Sequence, residues 1–221
     1  MTSASGSFRT DDDCRIAWRT DGDASSPPLL VANSLGTNLG MWDQQVPVWA
    51  EERYVIRFDM RGHGGSEVAS EGFGIDRLGR DALELLDHLK IARCDFVGLS
   101  LGGMIGQWLG VNAPERLGRL VLTNTSAYMG PPESWDARIA AVRSGGMAGI
   151  ADAVVERWFT PRVSSILCRA GCYPADVARY RSRGLLRGLC CDPRYGSEDQ
   201  RWRHITSDLG DWWNARPCDA P

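Results

Sequence analysis

The sequence predicts an α/β fold, in which helices cover both faces of a mostly parallel, doubly wound sheet. Short apolar runs with strand character alternate along the chain with segments whose apolar residues recur at helical spacing. A strand-like run precedes the string Gly-Leu-Ser-Leu-Gly at 98–102, and a helix-like segment follows it. This junction is typical of the carboxyl end of a central parallel strand.

The first half of the chain predicts strands and helices in alternation. Alternating residues predict a strand at Cys14–Thr20, and a polar, proline-ended turn follows at 21–28. Leu29–Ala32 is apolar throughout, as in a buried parallel strand. A helical stretch is then expected at Met41–Glu51 and a strand at Tyr54–Phe58.

The same alternation continues further along the chain. Apolar spacing predicts a helix over Ile75–Leu89, with Asp76 as its N-cap. Cys94–Val97 is the strand before the serine, and Met104–Val111 has the character of a helix after it. Leu117–Leu122 is expected to be another buried strand.

Ser100 is the candidate nucleophile of the chain. It occupies the centre of a Gly-x-Ser-x-Gly pattern between a strand and a helix, which is the context of a nucleophile elbow. Gly98 and Gly102 leave room for the serine hydroxyl to project above the sheet edge. The helix N-terminus behind the serine offers N–H groups to a developing oxyanion. A merely structural tight turn is the alternative.

Composition narrows the class of protein. The chain has 221 residues, a formal charge of −3 and 43% hydrophobic residues, as expected for one globular domain without a nucleic-acid partner. No apolar run approaches the ~18 residues needed to span a bilayer, and Met1–Ser7 lacks the features of an export signal. We therefore expect a cytoplasmic protein with reduced cysteines. Cys168, Cys172 and His204 do not form a credible zinc site, and no metal or cofactor is expected.

Several strings in order along the chain resemble the 3-oxoadipate enol-lactonases of the α/β-hydrolase superfamily. The most specific are Asn33–Trp42 and the stretch from Trp135 through Gly145-Gly146-Met147 to Pro161. The loop Asp59–Ser66, shared by many hydrolases, and the elbow itself also match. The resemblance implies cofactor-free hydrolysis of an enol-lactone to 3-oxoadipate in the catabolism of aromatic compounds.

The resemblance also implies roles for individual residues. Backbone N–H groups of Leu35 and Leu101 would form the oxyanion hole, although a plain βα turn is the alternative for the segment of Leu35. Trp42 and Trp135 would line the substrate pocket, although packing in the core or lid is an equal alternative for each. Tyr128 departs from the family, in which an arginine is expected near the start of the cap.

The catalytic histidine is not assigned. In this fold the triad follows the order Ser, Asp or Glu, His, and only His204 lies downstream of Ser100. Its sequence context would not present it to the serine. His63 and His88 are expected to be structural or solvated. Arg61 could attract a dicarboxylate substrate, but we expect it to hold its loop through Asp59.

Beyond Pro161 the sequence changes character. Apolar periodicity is lost, arginine is frequent, and five cysteines occur: Cys168, Cys172, Cys190, Cys191 and Cys218. Codons permitted by residues 190–201, read one nucleotide later, can spell AAIRDMDQR, and those for 210–221 can spell VIGGTHDPATP. Both strings resemble enol-lactonase sequence, and the second contains the triad aspartate. The hypothesis is therefore an out-of-frame tail, with the triad histidine encoded beyond Pro221.

These patterns divide the chain into a hydrolase core at 1–126, the start of a helical cap at 127–161 and an atypical tail at 162–221. The fold would then be incomplete at its C-terminal end, with an exposed sheet edge after Leu122. The leading function is enol-lactone hydrolysis. A generic esterase or thioesterase and a catalytically dead remnant lacking the triad Asp and His are the alternatives, whereas a dehalogenase would need a carboxylate at Ser100. The oligomeric state is left open.

Overall fold

The computed structural model describes residues 2–69, 72–128, 130–146 and 148–158, and these ranges form a six-stranded sheet flanked by helices. The strands are β1 Ser3–Arg9, β2 Arg15–Asp21, β3 Pro28–Ala32, β4 Tyr54–Phe58, β5 Cys94–Leu99 and β6 Leu117–Thr123. The α-helices are α1 Val46–Trp49, α2 Ile75–His88, α3 Leu101–Asn112, α4 Pro132–Gly145 and α5 Ala148–Trp158. Short 3-10 turns occur at Leu39–Trp42 and Pro114–Arg116.

The strand order is β1-β2-β4-β3-β5-β6, and the four strands from β4 to β6 in this order pair in parallel. The predicted mostly parallel α/β sheet is therefore confirmed. β1 was not predicted, because its sequence Ser-Ala-Ser-Gly-Ser has no apolar alternation. It forms by antiparallel pairing with β2, with Phe8 opposite Ile16.

Each face of the central strands packs against its own apolar layer. In β3, Leu30 faces the layer of α2 and α3, whereas Leu29 and Val31 face Trp42 and the α1 segment. The continuous apolar run of β3 follows from this double burial. The helical spacing in α2 is also confirmed, since Leu78, Ala82, Leu85 and Leu86 are all buried.

Two local predictions were wrong in detail. The stretch 41–51 is not one helix, because Pro47 lacks the N–H needed inside a helix and instead lies in the first turn of the four-residue α1. The N-cap of α2 is Gly74, without a side-chain cap. Asp76 lies one residue inside the first turn, where its charge still complements the helix dipole.

The prediction that Leu117–Leu122 is a buried strand was wrong. Within the described ranges β6 is an edge strand, and Val121 and Leu122 are 47% and 37% exposed. The pairing of β6 with β5 forms as expected, and Leu117 is buried, but nothing in this part of the chain covers Val121 and Leu122 fully. The expected exposed edge is thus present in the described residues.

Two buried arginines join distant parts of the fold. Arg57 binds Asp21 at 2.6 Å, and both side chains are almost fully buried. Arg61 binds Asp81 of α2 and Asp12 of the β1–β2 turn, each at 2.7 Å. The predicted structural role of Arg61 is retained, but its expected partner Asp59 was wrong. Its side chain points to α2 rather than along its own loop.

We predict that Asp81→Asn lowers the free energy of unfolding by about 3 kcal/mol, because Arg61 would lose its buried counter-ion. Asp87→Asn is the matched control. Asp87 lies on the same helix as Asp81 and pairs with Arg116, but its side chain is exposed, so the expected loss is below about 1 kcal/mol. Urea unfolding of the unsubstituted chain and the two variants measures both losses in the free energy of unfolding. Equal losses in the two variants would contradict the assignment.

Candidate active site

Ser100 lies in a sharp turn between the end of β5 and the start of α3. Its backbone has φ 54° and ψ −113°, outside the regions that residues other than glycine usually occupy. Such a conformation costs roughly 1–3 kcal/mol and persists only where the surroundings fix it. The strand-turn-helix context expected of a nucleophile elbow is present.

The flanking glycines are required by close backbone contacts. A Cβ on Gly98 would lie 2.2 Å from the carbonyl oxygen of Gly102. A Cβ on Gly102 would lie 2.2 Å from the carbonyl oxygen of Ala32 at the end of β3. Both distances are far shorter than any normal contact. The glycines therefore let the turn close tightly against itself and against β3.

β6 supports the turn from the other side. The Ser100 N–H donates to Thr123 O at 2.9 Å. The hydroxyl of Thr123 donates to Gly98 O at 3.1 Å, and that of Thr125 donates to Ser100 O at 2.7 Å. Sequence reasoning missed both threonines. The available signal was a pair of hydroxyl residues at the end of a strand that neighbours the elbow strand.

The segment 33–37 after β3 lies beside the elbow. Gly102 N–H donates to Asn33 O at 3.0 Å, which joins the two segments directly. Thr37 N–H donates to Ser34 O at 3.2 Å, and Gly36 has φ +77°. Because Leu35 has a negative φ, these features define a type II turn over Ser34–Thr37. We call this segment the oxyanion loop.

Asn33 connects the oxyanion loop to the core. Its fully buried side chain donates to Phe58 O at 2.9 Å and accepts from the indole N–H of Trp42 at 2.8 Å. Trp42 is 7% exposed and packs on Trp49 and the β3 side chains. Of the two roles considered for Trp42, this environment favours core packing over contact with a substrate.

Two backbone donors remain available at the junction. Leu101 is the first residue of α3, so its N–H has no partner within the helix, and the positive end of the helix dipole lies there. Among the hydrogen bonds of the described residues, the Leu35 N–H has no acceptor. Neighbouring N–H groups are committed, since Gly36 and Gly102 both donate within the protein.

His63 is fully buried and serves the loops rather than the serine. Its Nε2 accepts from Gly36 N–H at 3.1 Å, and its Nδ1 lies 3.1 Å from Arg61 O. Burial lowers the pKa of His63. His88 stacks on Phe8 at the opposite end of the sheet order. Within the described ranges no imidazole is hydrogen-bonded to the Ser100 hydroxyl, and His204 lies outside them.

Asp59 holds the loop 59–66 against the site. Its carboxylate accepts from Leu39 N–H at 2.6 Å and Gly65 N–H at 2.8 Å. Burial raises the pKa of Asp59, although these two donors oppose the rise. The Asp-x-Arg-Gly-x-Gly-x-Ser loop therefore uses its one carboxylate to position backbone.

The remaining predicted residue, Trp135, lies on α4. It is partly buried, and the Arg138 guanidinium carbon lies 5.1 Å from its ring centroid. Tyr128, between β6 and α4, is 48% exposed. Among the described residues no cluster of three metal-ligating side chains occurs. Each helix in those ranges is too short or too polar to span a bilayer.

Comparison with known proteins relates the chain to a large group of hydrolases. A family model described as alpha/beta hydrolase fold matches residues 27–179. The chain is 43% identical over 152 residues to 3-oxoadipate enol-lactonase 2 of Acinetobacter baylyi, covering 69% of this chain and 57% of that protein. It is 35% identical over 147 residues to enol-lactonase 1 of the same organism, covering 66% and 55%. The chain thus spans a little over half the length of these curated relatives.

Solved structures give the same relationship. The enol-lactonase from Burkholderia xenovorans superposes with a TM-score of 0.80 at 34% identity, covering 84% of this chain and 72% of that one. A hydrolase from Pseudomonas aeruginosa gives 0.78 at 41% identity, covering 86% and 72%. The resemblance drawn from the sequence motifs is confirmed.

We predict that Gly98→Ala lowers the free energy of unfolding by about 3 kcal/mol, because the new methyl group meets the Gly102 backbone, which cannot move aside. Gly145→Ala is the matched control. A Cβ there meets nothing within 4 Å, so the expected change is neutral or slightly stabilising. Chemical denaturation of both variants tests the comparison. An unaffected Gly98→Ala protein would show that the turn is not closed as described.

Proposed function

The chain belongs to the alpha/beta hydrolase fold family, and from that premise we propose that it carries the nucleophile half of an ester hydrolase site for 3-oxoadipate enol-lactone. The observation that carries the proposal is the strained Ser100 at the junction of two segments that each hold an uncommitted backbone N–H group, that of Leu35 and that of Leu101. Similarity to enol-lactonases supports the choice of substrate.

The first chemical step is acyl transfer to the serine. The Ser100 Oγ attacks the lactone carbonyl carbon, and a general base takes the hydroxyl proton. The carbonyl oxygen becomes an oxyanion that accepts hydrogen bonds from the Leu35 and Leu101 N–H groups, aided by the α3 dipole. Collapse breaks the ring C–O bond, and the base returns the proton to the leaving enol oxygen. The enol then tautomerises to the ketone.

The second step is hydrolysis of the acyl-enzyme. The same base takes a proton from water, whose oxygen attacks the acyl carbon through a second oxyanion. The Ser100 Oγ leaves with that proton, and the product is the free acid. One water is consumed in each cycle, and no metal or redox cofactor is needed to balance the reaction.

The general base and its orienting acid are proposed to come from the sequence that the out-of-frame tail replaces. His63 and His88 are engaged elsewhere, so neither is a candidate for the base. The alternate reading of residues 210–221 restores a Thr-His-Asp string in which the aspartate would be the triad acid. The 221-residue chain itself is therefore expected to be a weak enzyme.

Trp135 and Tyr128 are proposed to face the substrate from the cap side. Trp135 supplies an apolar ring on α4, and its contact with Arg138 holds a cation near that ring. Such a pair suits a lactone that also bears a carboxylate. Tyr128, in place of an arginine, would offer a neutral hydroxyl instead of a second charge.

We predict that a chain with the single-nucleotide frame correction hydrolyses 3-oxoadipate enol-lactone, and that Ser100→Ala in it lowers kcat by ~10⁶. The uncorrected chain is expected to keep at most the ~10³–10⁴ acceleration over water that oxyanion stabilisation and binding provide. Loss of lactone absorbance in a spectrophotometric assay measures the rates of the corrected chain, its Ser100→Ala variant and the uncorrected chain.

Sequencing of the coding DNA from Thr160 past Pro221, in all three frames, is the companion measurement. A corrected frame that supplies aspartate and histidine but yields no lactone turnover would exclude the substrate. Reaction with a serine-directed phosphonate would then separate an active esterase, which labels rapidly, from a remnant, which does not.

A further inference from the structure

The sequence of the oxyanion loop is compatible with two turn types, type I and type II. Type I and type II turns share the bond from residue i+3 to residue i and differ in the orientation of the central peptide. Here that peptide joins Leu35 to Gly36. Glycine adopts either sign of φ at little cost, so Gly36 permits both turns. Something outside the turn must hold the observed φ of +77°.

His63 makes the contact that distinguishes the two turns. The Gly36 N–H belongs to the central peptide and donates to His63 Nε2 at 3.1 Å. Rotation of this peptide to the type I form would turn the Leu35 carbonyl towards the imidazole and the N–H away. The bond to Thr37 would survive in either case. The imidazole is therefore the partner that selects type II.

The partners of His63 also fix its tautomer. A backbone N–H can only donate, so Nε2 must carry a lone pair towards Gly36. A backbone carbonyl can only accept, so Nδ1 must carry the proton towards Arg61 O. Both partners are satisfied only by the neutral ring protonated at Nδ1. In the opposite tautomer, the Nε2–H would face the Gly36 N–H, and the lone pair of Nδ1 would face the carbonyl oxygen of Arg61.

We propose that neutral, Nδ1-protonated His63 is a positioning residue for oxyanion stabilisation, which selects the type II orientation of the Leu35–Gly36 peptide. This rests on the proposed function of the elbow. By committing the Gly36 N–H to the imidazole, His63 leaves the Leu35 N–H as the donor of the loop.

The ring of His63 is itself held by the loop 59–66. Arg61, whose carbonyl accepts from Nδ1, has its side chain fixed by Asp81 and Asp12. His63 N–H donates to Met60 O at 2.9 Å and Ser66 N–H donates to His63 O at 2.8 Å. The imidazole thus links the hydrogen-bonded loop 59–66 to Gly36.

The first test is the tautomer of His63 in the 221-residue chain at pH 7. Multiple-bond ¹H–¹⁵N spectra of histidine-labelled protein, assigned with His63→Gln and His88→Gln variants, report which nitrogen carries the proton. We expect a single neutral Nδ1–H tautomer for His63. An Nε2–H tautomer, or a mixture averaging as in free imidazole, would overturn the proposal without reference to catalysis.

The second test uses amide hydrogen exchange in His63→Leu, which keeps an apolar side chain and removes the acceptor. We expect exchange in a peptide spanning 33–41 to rise about tenfold, while a peptide over β5 keeps its protection. His88→Leu is the control, since His88 contacts Phe8 and not the loop. Equal acceleration in both peptides would mean a merely structural histidine and would overturn the proposal.

Activity gives an independent readout in the frame-corrected chain. His63→Leu is expected to lower kcat about tenfold with KM unchanged, less than the 10²–10³ lost when an oxyanion donor is removed outright. A change confined to KM would contradict the assignment. If the lactone is not turned over at all, the tautomer and exchange results still decide the role of His63, so the two proposals fail separately.

Discussion

The backbone of Ser100 is the constraint on which the surrounding structure depends. A serine at φ 54° is stable only where neighbouring groups over-determine its conformation. Gly98 and Gly102 provide clearance on one side, and Thr123 and Thr125 provide hydrogen bonds on the other. The elbow therefore needs β3 and β6 as the immediate neighbours of β5, which is the order that the sheet has.

Buried charge in this protein holds loops in place. Arg57 and Arg61 each bind carboxylates contributed by distant segments, and Asp59 spends its carboxylate on backbone N–H groups. Such groups are stabilising only while every member is paired, because an unpaired buried charge is costly. The network fixes the loop 59–66, and through His63 that loop reaches the oxyanion loop.

In the proposed mechanism the described residues supply only part of the chemistry. The proposed nucleophile and the proposed backbone donors belong to the first part of the chain, where glycines, the helix dipole and hydrogen bonds hold them in place without a substrate. Proton transfer needs a base that this part does not offer to Ser100. Among the described residues the sheet also ends at β6, where Val121 and Leu122 are partly exposed.

The sequence by itself determined most of the central elements and the turn at Ser100, since β4 at Tyr54–Phe58, helices α2 and α3, and that turn all follow from local patterns. Periodicity and glycine placement report on a residue's neighbours along the chain. Tertiary structure alone decided that β1 pairs with β2, that β6 is exposed, and that Arg61 binds Asp81. It also decided that the Trp42 indole donates a hydrogen bond to Asn33 and that the His63 imidazole accepts one from Gly36. Burial and hydrogen-bond partners depend on segments that arrive from elsewhere in the chain, which no local pattern encodes.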